Sequence, residues 1–219
     1  MTMPNKREEL FKAVPSWYSG SAHFALINVV ASAAMCLFVA KIEHPTPWYW
    51  LFVPPFFVFA NWFEWWVHRG PMHHPTRFLR ELYRRHTLQH HVVFTEHDMA
   101  VRNPNELYHI LFPWWFLPAI LVANLPIPIL LGYVFSPDLG RLFVACTLAY
   151  YLVYEWFHTL HHLPPESWLG RRAIVGWLRN GHARHHDPAR MVMGNFNVSF
   201  PLWDYILGST LEPSPRNEA

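Results

Sequence analysis

The sequence contains little charge and little cysteine. Only 15% of its 219 residues are charged, against about 25% in a typical soluble domain, and the formal net charge is just +2. A balance so close to neutral disfavours nucleic-acid binding. The two cysteines, Cys36 and Cys146, both lie in apolar runs, so a disulfide framework is excluded and both are expected to act as small hydrophobic residues.

Two kinds of residue are in excess. Hydrophobic residues make up 52% of the chain, which excludes a disordered protein, and there are 16 histidines. The histidines recur in short, dispersed patterns, so they are neither a purification tag nor a low-complexity tract. A membrane protein with a metal site is the class that accommodates both excesses, and the length suits one domain.

Four apolar runs are candidates for membrane spans: residues 24–40, 48–67, 107–135 and 142–157. The first carries no charge and is not followed by a small-residue cleavage site, so it is interpreted as a retained helix. Pro54 and Pro55 are expected to kink the second run. The third contains five prolines and glycines and is either one broken span or a re-entrant hairpin.

The basic residues favour one topology. With the N-terminus in the cytoplasm and four crossings, the segments 1–23, 68–106 and 158–219 are cytoplasmic and contain fifteen lysines and arginines. The outer loops contain only Lys41 and Arg141. Because positive residues concentrate on the cytoplasmic side, this bias favours a single crossing of the third run.

The predicted fold is therefore all-α: an integral membrane helical bundle of about four transmembrane helices with a cytosolic helical cap that carries the histidines. Residues 1–23 are predicted to form a cytosolic N-terminal segment, 24–211 the membrane domain and 212–219 a polar tail. In this topology the second and fourth spans both end on the cytoplasmic side.

Eleven histidines form four clusters in the predicted cytoplasmic segments. These are His68 and His73; His86, His90 and His91; His158, His161 and His162; and His182, His185 and His186. Helix positions i, i+3 and i+4 share one face, so each of the last two clusters is expected to present three imidazoles to one side. His91 would lie about 100° from the face shared by His86 and His90. Gly70 and Pro71 are expected to break the helix and let His73 turn back.

This set of histidines predicts a metal centre. Neutral imidazole suits iron, zinc and copper, and one tetrahedral ion takes about four ligands, so eleven histidines are enough for two ions. The lack of nearby cysteine disfavours a thiolate zinc site or an iron–sulfur cluster. Glu64, Glu155 and Asp187 are close enough in sequence to accept the second ring N–H of a ligand. His74 and His97 stay open as ligands, and His23, His44 and His109 are expected to be bystanders.

The order and spacing of the clusters resemble the fatty acid hydroxylase superfamily, also called the sterol desaturase family. The closing segment strengthens the resemblance, with an Asn-Phe stretch from Asn195, then Trp203-Asp204 and Gly208, although Ser209 stands where threonine is usual. The resemblance covers about residues 55–210. It implies His68, His73, His86, His90, His91, His158, His162, His182, His185 and His186 as ligands of a di-iron centre on the cytosolic side. Whether His161 joins them stays open, since family patterns differ there.

The resemblance implies a membrane enzyme that hydroxylates a lipid C–H bond, most simply in a fatty acyl chain, using O2. We expect electrons from a separate cytochrome- or ferredoxin-type protein, because no electron-carrier domain follows the last cluster. The rival within the enzyme class is a desaturase or a hydroxylase of a sterol, carotenoid or ether lipid. The rival of a different class is a metal-binding or metal-transport membrane protein. The expected cofactor is two iron ions, which zinc can replace in purified samples.

Overall fold

A computed structural model describes residues 3–213, and of these it places most in helices and none in a strand, which confirms the all-α prediction. Residues 214–219, the greater part of the predicted polar tail, lie outside the described residues. The α-helices in chain order are α1 (Met3–Lys12), α2 (Gly20–Ala40), α3 (Pro47–Trp50), α4 (Val53–Val67), α5 (Arg80–Arg85), α6 (His91–Val93), α7 (Phe116–Asn124), α8 (Pro126–Val134), α9 (Pro137–His161), α10 (Ala173–His185) and α11 (Leu202–Ile206). Two π-helical turns, His68–Met72 and His86–His90, and a 3₁₀-helix, Pro104–His109, complete the helical segments.

The chain divides into two compact units that alternate along the sequence. One, which we call the histidine unit, comprises residues 1–20, 61–111 and 156–219. The other, the apolar unit, comprises 21–60 and 112–155. All eleven clustered histidines belong to the histidine unit, so the candidate site is assembled within it.

The apolar unit contains the helices that suit a bilayer. Gly20–Ala40 and the run Phe116–Val134, which joins α7 and α8 through helical Leu125, are long and apolar enough to cross a membrane. Their apolar side chains face outward: Val29 is 66% exposed and Val122 70% exposed. Soluble proteins rarely expose such continuous apolar surface. Of the four predicted spans, the first and third thus have a matching helix, and the other two stay predictions.

The proline pair in the second run does not kink a helix. The run divides into α3 and α4 around Leu51, and Pro54 and Pro55 lie in the first turn of α4. A proline there lacks an N–H that the helix would leave unpaired in any case, so the pair marks a helix start. The sequence prediction failed because it treated residues 48–67 as one helix.

Each unit has its own apolar core. In the apolar unit, Phe56, Leu139, Leu142 and Cys146 are buried together, which agrees with the prediction that Cys146 acts as a small hydrophobic residue. In the histidine unit, Val93, Phe94 and Ile110 form a buried cluster against Leu10 of α1 and two further residues. That cluster packs the N-terminal helix beside one of the histidine-bearing segments.

Candidate metal centre

Both π-helical turns shape the site. A π-helix hydrogen-bonds from i to i+5, so residues five apart lie one turn apart on one side. The turn His68–Met72 relates His68 to His73, and the turn His86–His90 relates His86 to His91. Gly70 and Pro71 therefore lie within a wide helical turn, and the prediction that they break the helix is wrong. These turns bring together pairs that α-helical spacing would separate.

The histidine side chains form two groups. In each group the ligand nitrogens all lie within 4.8 Å of one another. Group one consists of His68, His73, His86, His91 and His185, and group two of His90, His162, His182 and His186. All nine are buried. The cluster on α10 is thus shared, because His185 joins group one and its neighbours join group two.

The distances inside each group fit nitrogens that surround an ion. In group one, Nε2 of His86 lies 2.8 Å from Nε2 of His68 and 3.1 Å from Nε2 of His91. In group two, Nε2 of His186 lies 3.1 Å from Nε2 of both His90 and His182. Two imidazoles that bind one ion at about 2.1 Å and at a right angle place their nitrogens about 3.0 Å apart. Both groups have this spacing.

The tautomers that these rings adopt fit a cation between them. His90 and His186 each direct Nδ1 at a backbone carbonyl, that of His109 at 2.9 Å and that of Phe94 at 2.6 Å. A carbonyl only accepts, so Nδ1 carries the ring hydrogen and Nε2 is left with a bare lone pair. The two bare Nε2 atoms face each other at 3.1 Å. Two acceptors at that distance repel each other, and a metal ion bound by both lone pairs would remove this repulsion.

Group one repeats this arrangement through Thr87, which sequence reasoning missed. The Thr87 hydroxyl donates to the carbonyl of Met72 at 2.7 Å, so its oxygen is left to accept from Nδ1 of His73 at 3.2 Å. Nδ1 of His185 donates to the carbonyl of Gly194 at 2.9 Å. The bare Nε2 atoms of His73 and His185 are 3.0 Å apart. A threonine next to a ligand histidine carries no sequence signal of this role.

A C-terminal segment, residues 194–209, which we call the carbonyl strap, orients group one. Its carbonyls at Gly194 and Phe196 accept from His185 and His68. The carboxylate of Asp204 in turn accepts from the backbone N–H groups of Phe196 and Asn197, at 3.0 and 2.8 Å. A Cβ atom at position 194 would lie 2.1 Å from the carbonyl oxygen of Ser209, so only glycine permits this close approach.

Residues 94–109, which we call the connecting segment, serve group two in the same way. Its carbonyls at Phe94 and His109 accept from His186 and His90, and the carbonyl of Met99 accepts from Nδ1 of His162 at 2.8 Å. His109 was expected to be a bystander; its side chain is in neither group, but its backbone carbonyl orients a ligand. The two groups are therefore oriented by different parts of the chain.

Burial keeps the grouped imidazoles neutral. Loss of solvation, reinforced in most cases by neighbouring imidazoles, lowers the pKa of these histidines below the usual 6.5. The pKa of His73 falls to about 2, through burial and then the nearby His185, and burial lowers the pKa of His185 to about 4. Neutral imidazole is the form that binds metal, so the site favours the ligand state at physiological pH.

The remaining candidate histidines take different positions. Nε2 of His158 lies 3.2 Å from Nε2 of His90, so His158 adjoins group two. His161 belongs to neither group, because its Nε2 faces the carbonyl of Val198 at 3.0 Å. His74 is exposed, and the exposed His97 pairs with Glu96 at 3.0 Å. The structure thus places all ten histidines that the resemblance implies as ligands at or beside the two groups, and it leaves outside them His161, whose role the sequence left open.

The three carboxylates predicted to orient ligands have other partners. Asp187 accepts from the backbone N–H of Ala189 at 2.9 Å. Glu64 accepts from the backbone N–H groups of Val198 and Ser199 and from the Ser199 hydroxyl. Glu155 accepts from the backbone N–H of Phe112 at 3.1 Å. Backbone carbonyls of other residues take the role expected of carboxylates. They accept the ring hydrogens of His68, His90, His162, His185 and His186. Glu64 supports the carbonyl strap, so it acts one step further from the ligands than predicted.

Comparison with known protein families gives a match over most of the chain. A sequence model described as fatty acid hydroxylase matches residues 53–209, which is more than two thirds of the chain and includes all eleven clustered histidines. No curated protein and no solved structure matches the chain.

Proposed function

Because the chain belongs to the fatty acid hydroxylase family, within the fatty acid hydroxylase and sterol desaturase superfamily, we propose that it is a membrane di-iron oxygenase that hydroxylates a lipid C–H bond. Membership implies an oxidoreductase of the membrane lipid hydroxylase or desaturase class. The observation that carries the finer proposal is the division of nine buried histidines into two groups of ligand spacing. One ion per group gives a two-metal centre.

The ligand chemistry favours iron for this reaction. All donors in the two groups are imidazole nitrogens, which suit iron as well as zinc and copper. Unactivated C–H bonds are beyond the reach of side chains alone, and bound iron supplies the O2 and one-electron chemistry. The groups would hold it through His68, His73, His86, His91 and His185 on one side and His90, His162, His182 and His186 on the other.

The protein's own part is to fix and shield the ligands. The backbone carbonyls of Phe94, Phe196 and Gly194 hold the ring hydrogens of His186, His68 and His185 on Nδ1, so the Nε2 lone pairs of these three rings stay directed at the centre. The low exposure of the histidines excludes bulk water, which prevents protonation of the ligands and hydrolytic side reactions. The balance of the proposed reaction is that O2 delivers one oxygen atom to the lipid and one to water, with two electrons and two protons taken up.

The electrons are proposed to come from a separate carrier protein. Between the first two clusters lies a basic stretch that offers a docking surface, formed by Arg77, Arg80, Arg84 and Arg85. Two of these arginines already have partners within the chain. Arg84 pairs with Glu81, and Arg85 donates to the carbonyl of Tyr108 at 2.7 Å. Arg77 and Arg80 are exposed and would meet an acidic carrier. The basic residues also support a cytoplasmic location for the centre in a protein with four membrane spans.

Lipid profiling of cells with and without the chain tests this function. We expect a lipid species that gains the mass of one oxygen atom in cells that express the wild type. A species that instead loses two hydrogens would indicate a desaturase. The control is the His91→Ala variant, which removes a group-one ligand and should give the profile of cells without the chain. Identical profiles for all three cultures, with the protein present and loaded with iron, would contradict the oxygenase proposal.

A further inference from the structure

Arg7 on α1 is a buried arginine with an unusually complete set of partners. It is 4% exposed, and its guanidinium donates to both carboxylate oxygens of Glu106, at 2.9 and 2.8 Å. It also donates to the carbonyls of Ala100 at 2.8 Å and Asp98 at 3.4 Å, and lies 2.8 Å from the Asp98 carboxylate. A buried charge is tolerated only when it is so fully paired, and the planar guanidinium fixes the relative positions of its partners.

All of these partners lie in the connecting segment 94–109. Arg7 thus contacts the segment at Asp98 and Ala100 and again at Glu106. Glu106 also accepts from the backbone N–H of Arg102 at 2.7 Å, so one ion pair fixes the segment at several points along its length.

This segment also supplies the carbonyls that orient group two. The carbonyl of Phe94 accepts from His186, that of Met99 from His162, and that of His109 from His90. Three of the four group-two histidines therefore depend on a backbone that Arg7 holds. The contacts of Arg7 lie close to this ligand support, because Asp98 and Ala100, which Arg7 binds, flank Met99 in the sequence.

The ring of Phe94 adds a second connection. The Arg7 guanidinium lies over this ring, 5.1 Å from its centroid. The same ring packs against the His162 imidazole, with 4.4 Å between centroids. Phe94 is fully buried, so loss of Arg7 would remove one of the contacts that α1 makes with this part of the core, beside that of Leu10.

Group one is oriented by a different segment of the chain. Its carbonyls at Gly194 and Phe196 belong to the carbonyl strap, which Asp204 and Glu64 hold through backbone N–H groups. Each group of histidines thus has its own support, and the support for group two comes from a helix that precedes the family-matched region at residue 53.

We infer that Arg7 is a positioning residue that selectively maintains the group-two metal position, a conclusion that rests on the proposed two-ion centre. It holds the connecting segment so that three carbonyls stay in line with the Nδ1 hydrogens of His90, His162 and His186. When Arg7 is lost, these carbonyls shift, the imidazoles lose their fixed tautomer and direction, and group two binds its ion less tightly. Group one keeps its affinity because its carbonyls lie in the strap.

The test is Zn²⁺ titration of the purified, metal-stripped full chain against a competing chelator. The wild type should bind two ions, which checks the two-ion centre independently of Arg7. The Arg7→Met variant should lose about 10- to 100-fold in affinity for one ion and none for the other. Lys6→Met removes an exposed cation from the same helix and should match the wild type.

Two backgrounds identify which ion is affected. The double variant His86→Ala/His91→Ala leaves group one with three of its five histidines and disables it, so the remaining ion reports on group two, and Arg7→Met should weaken it. His182→Ala disables group two, so the remaining ion reports on group one, and Arg7→Met should leave it unchanged. A general loss of structure would weaken the ion in both backgrounds, so this contrast separates positioning from stability.

Equal weakening in both backgrounds, or none in either, would overturn the inference. A wild type that binds a single ion would instead refute the two-ion centre. If Arg7→Met does not fold, Arg7→Lys and Glu106→Gln serve in its place, because each retains part of the pairing. Both should show the same selectivity for group two with a smaller loss of affinity.

Discussion

Replacement of His185 by alanine is expected to reduce lipid oxidation by more than 100-fold, with loss of metal from group one. His185 is fully buried, its Nε2 lies 3.0 Å from Nε2 of His73, and its Nδ1 is held by the carbonyl of Gly194. Outer-shell changes alone cost about 10- to 100-fold in metal affinity or activity, so removal of a ligand should cost more. The measurements are iron content per chain and product formation in the same membrane preparation.

His97→Ala is the matched control for this experiment. It removes an imidazole of the same size from an exposed position whose side chain pairs only weakly with a neighbouring carboxylate, so metal content and turnover should not change. The amount of His185→Ala protein in the membrane fraction reports whether it still inserts. A correctly inserted His185→Ala protein with full iron content and normal turnover would contradict the ligand assignment.

Acidification is expected to destabilise the metal-free protein steeply. In the unfolded chain each histidine has a pKa near 6.5, whereas burial lowers the folded-state pKa of His73 to about 2 and that of His185 to about 4. Above about pH 6.5 neither state binds these protons. As the pH falls below that value the unfolded state binds them and the folded state does not, so the free energy of unfolding decreases.

The size of this effect follows from the number of buried histidines. A histidine that stays neutral in the fold costs about 1.4 kcal/mol for each pH unit below 6.5, or roughly 2.7 kcal/mol for His73 at about pH 4.5. Several such contributions together are comparable with the 5–15 kcal/mol that stabilises a typical domain, so the metal-free protein is expected to unfold before the pH falls to about 4.5. Metal-loaded protein should stay folded to a lower pH, because a bound ion competes with protons for Nε2.

Thermal unfolding of metal-free and metal-loaded protein between about pH 7.5 and 4.5 measures this dependence. We expect the melting temperature of the metal-free form to fall first, and recovery on neutralisation to depend on how much has aggregated. His97→Ala should follow the wild-type curve. A metal-free protein whose melting temperature does not change over this range would show that the buried histidines are not neutral in the fold.

The sequence predicted which residues carry the chemistry better than how they are arranged. Helical spacing placed His158, His161 and His162 on one face, but α9 ends at His161, so His162 lies beyond it and His161 turns to the carbonyl of Val198. The pairs His68/His73 and His86/His91 come together because the backbone forms π-helical turns. A π-turn is specified by tertiary packing, so a period search based on α-helices does not reveal it.

The groups that orient the ligand histidines could not be predicted from the sequence either. Backbone carbonyls orient the ligands, and a carbonyl is present at every residue, so no side-chain pattern marks the ones that matter. Arg7 is distant in sequence from every histidine cluster, and its position in the site depends on how α1 packs. The apolar helices were easier to predict from the sequence than these supports. The exposed apolar surface along α2 and Phe116–Val134 is a direct consequence of composition.

The most direct test of the central claim is the source of oxygen in the lipid product. Cells that express the wild type or His91→Ala are grown under ordinary or isotopically heavy oxygen gas, and their lipid extracts are compared by mass spectrometry. The account predicts a hydroxylated lipid found only with the wild type, heavier under heavy oxygen by the isotopic difference of one atom. A wild-type product that carries no heavy oxygen, or no product at all from iron-loaded protein, would contradict it.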